Sequence, residues 1–210
     1  MMDVRVIPIV EGDGECDAVP VLIRRIALDI DPGFVPRVLP PLRVPADKLR
    51  KPRELERAVK LAALKLQGQG GILILVDCDD GCPAHEGPDL LEKAQQIRPD
   101  IQITVVLAKK EYEAWFLAAA ESLRNKKGLP SDLSSPEQPE EIRGAKEWLS
   151  RQMPSGVRYS ETSDQAALTA RFDMAVARKA DSFDKCYREV HKMLSALRQD
   201  EFDEESPKSP

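Results

Sequence analysis

Three short apolar runs, at 4–10, 71–76 and 101–107, punctuate the first half of the chain. A strand buried on both faces reads as such a run, because neither side alternates with polar residues. Pro8 is a blemish in the first run, since proline cannot donate to a sheet ladder. Between the runs the apolar spacing changes to the helical period. Residues 15–28 place Val19, Leu22, Ile23 and Ile26 on one face. Residues 53–67 do the same with Leu55, Val59, Leu61, Ala62, Leu64 and Leu66, until Gly68–Gly71 ends the pattern. The proline-rich stretch 34–44 still carries Val35, Val38, Leu39, Leu42 and Val44, and it reads as an irregular second strand. A loop at 82–87, a helix at 89–97 and a helix at 112–123 complete an alternation of strand and helix. That alternation predicts an α/β domain with a doubly wound parallel sheet flanked by helices.

The expected organisation is an α/β domain over 1–125, a linker or insertion over 126–139, and a helical extension over 140–198. The extension carries helices at 139–152, 166–177 and 183–197. It holds too little apolar surface to fold alone, so it should pack on the first domain. The acidic end, 199–210, reads as a disordered, solvating tail. No internal repeat is visible.

Acid follows each apolar run. Glu11 ends the first before Gly12, Asp77 and Asp79 end the second, and Glu111 or Glu113 follows the third. Ligands of an open α/β sheet bind at the carboxyl ends of its strands. Acids gathered there suit a hard divalent cation such as Mg²⁺. Asp77 and Asp79 are two residues apart, so an extended strand would point both to one face and Cys78 to the other. Each acid also has a structural reading. Asp77 and Asp79 could cap a helix or bond within a loop, and Glu11 could sit on a surface turn. Glu15 is either a second ligand or a favourable acid in a first helical turn. Glu111 and Glu113 could belong to a solvated helical turn, and Asp80-Gly81 is a turn signal.

These residues resemble a known family. Glu-Gly after the first strand and Asp-x-Asp after a later one look like the Toprim domain of topoisomerases, primases and old-type (overcoming-lysogenisation-defect) nucleases. The run Val-Glu-Gly-Asp-Gly-Glu15 is nearer to the old-type pattern. The stretches Glu111-Tyr-Glu113-Ala-Trp115 and Tyr159 to Gln165, with Ser182-Phe183, resemble a bacterial Toprim-like family of unknown function often encoded beside an ATPase. The resemblance spans roughly residues 4–198. It implies a Toprim-like Rossmannoid sheet with a carboxy-terminal helical appendage. It implies that Glu11, Asp77 and Asp79 are catalytic, and that Mg²⁺ (or Mn²⁺) is held by Glu11, Glu15, Asp77, Asp79 and Glu113. The implied chemistry is phosphodiester cleavage in DNA or RNA, in a defence-system effector working with an ATPase partner. The alternative is a non-catalytic interaction subunit of such an ATPase complex. The Tyr-bearing domain of topoisomerases has no counterpart, which argues against strand transfer; Tyr159 reads as structural.

Charge and thiols narrow the field. The 210 residues carry a formal charge of −5, so no global basic field draws the chain to nucleic acid. A local basic groove remains open: Arg24, Arg25, Arg37, Arg43 and the stretch Lys48 to Arg53 crowd the first third, and Lys109 and Lys110 lie beside the acids. Lys109, Lys110 and Arg50 are the expected phosphate contacts. Cys16, Cys78, Cys82 and Cys186 read as free thiols in a reducing cytosol. A zinc site from Cys78, Cys82 and His85 lacks a matching second half. The amino terminus shows no signal-peptide pattern and no run approaches a membrane span, so the expected location is cytoplasmic. A receiver-like switch fits poorly, because its acidic pair after the first strand is missing. A homodimer is left open by the apolar residues of the tail helices.

Overall fold

The computed structural model describes residues 3–68 and 70–205, with side chains to residue 200. Its five strands are β1 (Arg5–Val10), β2 (Arg37–Val38), β3 (Leu42–Arg43), β4 (Gly71–Cys78) and β5 (Gln102–Lys109). All pairings are parallel, in the order β2-β1-β4-β5, with β3 also on β1. The expected irregular second strand is thus two dipeptides, separated by Leu39-Pro40-Pro41. They pair with the two ends of β1. This break accommodates Pro8 in a central strand. The carbonyls of Val4, Val6 and Val10 accept from Arg37, Leu39 and Val44 on that edge. Pro8 faces the same edge at the gap between β2 and β3, so its missing N–H removes no ladder bond.

Helix α1 (Asp13–Ile30) covers one face of the sheet. Helices α2 (Ala46–Leu49), α3 (Pro52–Leu66) and α4 (Pro83–Ile97) cover the other. The alternation of each strand sorts the core. Val6, Val10, Leu73, Leu75 and Val106 pack with α1, while Ile7, Ile9, Ile72, Ile74 and Val105 pack with α3 and α4. The chain crosses from β2 and β3 over β1 to β4, so the topological switch point lies between β1 and β4. Glu11 and Asp77 stand at their carboxyl ends.

The second half is shorter in its helices than the spacing predicts. The helix expected over 112–123 is α5 (Ala114–Ala118) followed by a 3₁₀ turn, Ala120–Leu123. The one expected over 139–152 is a 3₁₀ turn, Pro139–Glu141, and then α6 (Ala145–Gln152). The one over 166–177 splits into α7 (Ala166–Thr169) and α8 (Met174–Ala177), preceded by a π-helical turn, Glu161–Gln165. Conversely, α4 begins within the expected loop, with Pro83 in its first turn, where a missing N–H costs nothing. Leu61 and Leu64 are exposed rather than on the buried face of α3. Helix α9 (Asp181–Glu205) runs through the start of the tail expected to be disordered, and 206–210 lie outside the described residues.

Aromatic packing binds the extension to the sheet. Tyr112 and Trp115 lie 4.6 Å apart by ring centroid, Trp115 and Phe183 5.2 Å, and Phe183 and Phe172 5.2 Å. The loop after β5 and the carboxy-terminal helices therefore share one core with α1. Among the described residues, no helix is long and apolar enough to cross a membrane.

Candidate functional site: an acid cluster at the switch point

Strand β4 turns Leu73, Leu75 and Asp77 to the α1 side and buries Cys78 on the opposite face. Asp77 Oδ1 accepts the Tyr112 backbone N–H at 2.9 Å, which ties the loop after β5 to the end of β4. That loop then delivers Glu113, which is fully buried. Glu113 Oε1 accepts from the Tyr159 hydroxyl at 2.8 Å and from the Gln165 amide at 3.1 Å. From the other side comes the start of α1. Gly12 extends into the helix and Glu15 reaches back, its Oε2 accepting the Gly12 N–H at 2.5 Å. Glu15 is itself buried, so the two readings of it, capping acid and member of the cluster, describe the same side chain.

The acids feel one another. Burial, and then the Glu113 and Glu15 carboxylates, push the Asp77 carboxyl well above its ordinary range, with Glu11 adding to the effect. Burial likewise raises Glu15, against the pull of the Gly12 N–H. Burial lifts Glu113 to about 7, although Lys146 and the Tyr159 hydroxyl hold it down. Glu11 Oε2 and Glu113 Oε2 are buried and have no hydrogen-bond partner among the described residues. Buried carboxylate oxygens are costly in that state, so the cluster is built around charge that the hydrogen bonds leave uncompensated.

Lys146, from the first turn of α6, stands beside this charge. Its Nζ lies 2.9 Å from Glu161 Oε2 and 4.0 Å from Glu113 Oε2. Burial lowers the Lys146 ammonium, but Glu113, Glu161 and Asp77 outweigh that and raise it above its ordinary value. Burial and the Glu113 carboxylate raise the Tyr159 hydroxyl, so it stays a donor to Glu113. Gly14 is required by packing. A Cβ there would stand 2.8 Å from the Glu161 carbonyl oxygen and too close to Gln165 Oε1, so the π-helical turn seats directly on α1.

The structure therefore brings Glu11, Glu15, Asp77 and Glu113 together and leaves the other expected residues at the margin. Asp79 lies one residue past β4 and is exposed; its carbonyl accepts Lys110 Nζ at 2.7 Å. The same-face argument for Asp77 and Asp79 holds only while the strand continues, and it stops at Cys78. Glu111 instead caps α6, accepting the N–H groups of Gly144 and Ala145 at 2.9 and 3.1 Å. Lys109 pairs with Glu141 at 2.5 Å, and Arg50 with Glu86 at 3.2 Å. Much of the basic first third is similarly engaged: Arg43 pairs with Asp13, and Arg25 donates to the Thr169 carbonyl. Lys146, Tyr159 and Gln165 carry roles that the sequence reading gave them only as structure or not at all. Nothing in a lysine on an eight-residue helix distinguishes it from Lys126 or Lys127.

Cys78 is buried, whereas Cys82 and His85 are exposed. Among the described residues, no group of three or more His, Cys, Asp or Glu side chains is arranged to hold a metal ion. The acid cluster nonetheless has the donor chemistry of a hard-cation site: four carboxylates, mutual repulsion, and two buried oxygens without partners. No curated protein and no solved structure matches the chain. A family model described as a domain of unknown function, DUF4276, matches residues 10–191, and the chain belongs to that family.

Proposed function

We propose that this protein is a divalent-cation-dependent phosphodiesterase acting on nucleic acid, a nuclease of Toprim-like design. The observation that carries this reading is the gathering of Glu11, Glu15, Asp77 and Glu113 at the switch point, with unpartnered buried oxygens on Glu11 and Glu113. These four carboxylates would hold Mg²⁺ or Mn²⁺. Such an ion, when bound, activates water and stabilises a leaving oxygen. Asp79, being exposed, sits at the rim of this set rather than in it.

The chain's own groups divide the remaining work. Tyr159 and Gln165 fix Glu113 through Oε1 and leave Oε2 turned to the cluster. Burial lifts the Glu113 carboxyl to about 7 in the metal-free protein, so a cation bound there would displace a proton from it near neutral pH. Lys146 carries positive charge to the solvent side of the acids, where a phosphoryl oxygen would lie. The amino-terminal end of α1 adds its dipole to the same place. The ATPase partner and the defence role rest on the Toprim-like resemblance alone, and the cytoplasmic location on the sequence pattern of the amino terminus, the apolar runs and the thiols.

The test is metal binding and cleavage measured together. Mn²⁺ should raise the melting temperature and support cutting of DNA or RNA. Asp77→Asn should abolish the stabilisation and reduce cleavage on the order of a thousandfold, about 4 kcal/mol of transition-state stabilisation. Cleavage at full rate in both Asp77→Asn and Glu11→Ala would overturn the assignment.

A further inference from the structure

Beside the acid cluster lies an open cavity of about 940 Å³, formed by α6 and the segment that leads to the π-helical turn. Lys146 and Tyr159, which reach Glu113, are part of its wall. The same wall carries Arg151 and Arg158, both exposed, and the hydroxyls of Ser160 and Thr162. Val157, 48% exposed, supplies an apolar surface between them. Two carboxylates also line the cavity, Glu147 and Glu161, but Glu161 is committed to Lys146 at 2.9 Å. Lys146, Arg151 and Arg158 against Glu147 and Glu161 leave the lining a net charge of +1, in a chain whose net charge is −5.

From this arrangement we propose that the cavity is the cradle for one strand of nucleic acid, with Arg151 and Arg158 holding backbone phosphates that flank the phosphate presented to Lys146. The inference rests on the reading of the acid cluster as a phosphodiester site, and it names that site's substrate. Two exposed arginines beside Lys146, itself paired with Glu161, match a single backbone in one groove. A duplex carries its charge on two strands and calls for a broad basic face. Apolar surface next to hydroxyl donors suits bases and sugars turned out of a helix. The cavity is at the top of the size range for small-ligand pockets and is open, as a continuing chain requires.

The experiment measures binding rather than cleavage. Fluorescence anisotropy with labelled single-stranded DNA and RNA oligonucleotides, in EDTA, reports affinity without turnover. Arg151→Glu combined with Arg158→Glu should weaken binding at least tenfold. It should also lower the slope of log K against log salt by roughly 1.4, about 0.7 for each lost phosphate contact on a single strand. Lys192→Glu, a charge reversal on α9 outside this cavity, should leave affinity unchanged. Both arginines are exposed, so an unchanged melting temperature is expected and separates lost contact from lost fold. Equal affinity in the double variant and the parent would overturn the proposal, as would absence of oligonucleotide binding in the parent. Duplex, or a free mononucleotide, binding as tightly as the single strand would also overturn it. Intact, arginine-dependent binding without any metal-dependent cleavage would leave the cradle standing and remove the nuclease reading instead.

Discussion

Two sets of buried or half-buried carboxylates occupy neighbouring regions and have opposite fates. At the helix amino termini of the carboxy-terminal extension, Glu111 accepts the first N–H groups of α6. Glu140 accepts Asp181 N–H at 3.1 Å, Ser182 N–H at 3.0 Å and the Ser182 hydroxyl at the start of α9. At the sheet's carboxyl edge, Glu15, Asp77 and Glu113 crowd one another, and burial raises all three. The first set meets donors and a helix dipole, so its charge stabilises the fold. The second also meets donors, the Gly12 and Tyr112 N–H groups, the Tyr159 hydroxyl and the Gln165 amide, but its acids crowd one another out of water, so its charge costs stability. Acids kept in that state are candidates for function, because stability alone would have removed them.

The contrast can be broken from either side. Removing a capping acid should cost the most. Glu140→Ala leaves three donors at the α9 start without their acceptor and should destabilise by about 3–4 kcal/mol, read as a fall in urea midpoint with unchanged slope. Ser182 adds to that loss, since its hydroxyl also receives Trp115 Nε1–H at 2.9 Å and Lys109 N–H at 3.1 Å.

Removing a clustered acid should do the reverse. Glu113 rises from an ordinary 4.5 to about 7 on folding, which corresponds to about 3 kcal/mol for a fully buried group. A carboxyl raised in the folded state gives its stabilisation fully below pH 4.5 and loses it as pH climbs through about 7. The parent should therefore lose stability across that window, and Glu113→Gln should flatten the loss. At pH 8 the variant should be more stable by up to about 3 kcal/mol while cleavage falls. Denaturant melts at several pH values decide this, and a parent whose stability is flat from pH 5 to 8 would contradict it.

Smaller effects sharpen the boundary of the cluster. Gly14→Ala should cost about 2 kcal/mol, because the new methyl meets the backbone of the π-helical turn, and it should disturb Gln165 and hence Glu113. Asp79→Asn should change stability by less than about 0.5 kcal/mol, as exposed sites do. If Asp79→Asn impairs cleavage as deeply as Asp77→Asn, the rim assignment of Asp79 is wrong.

The sequence by itself determined the fold class. The apolar runs behind β1, β4 and β5 and the helical spacing of α1 and α3 are local patterns, and local patterns survive into the structure because each strand and helix buries one continuous face. The same patterns placed Glu11 just past β1 and Asp77 at the last pleat of β4, since an apolar run marks where a buried strand ends. Tertiary structure alone decided the rest. It showed that Glu111 caps a helix whose start lies 33 residues away, while Glu113, two residues later, joins the acids. It ended β4 at Cys78 and so left Asp79 outside. It brought Lys146, Tyr159 and Gln165 across from the extension, through an aromatic core that no single segment's periodicity describes. A carboxylate's role depends on what surrounds it in space, and those neighbours come from parts of the chain that the local pattern does not connect.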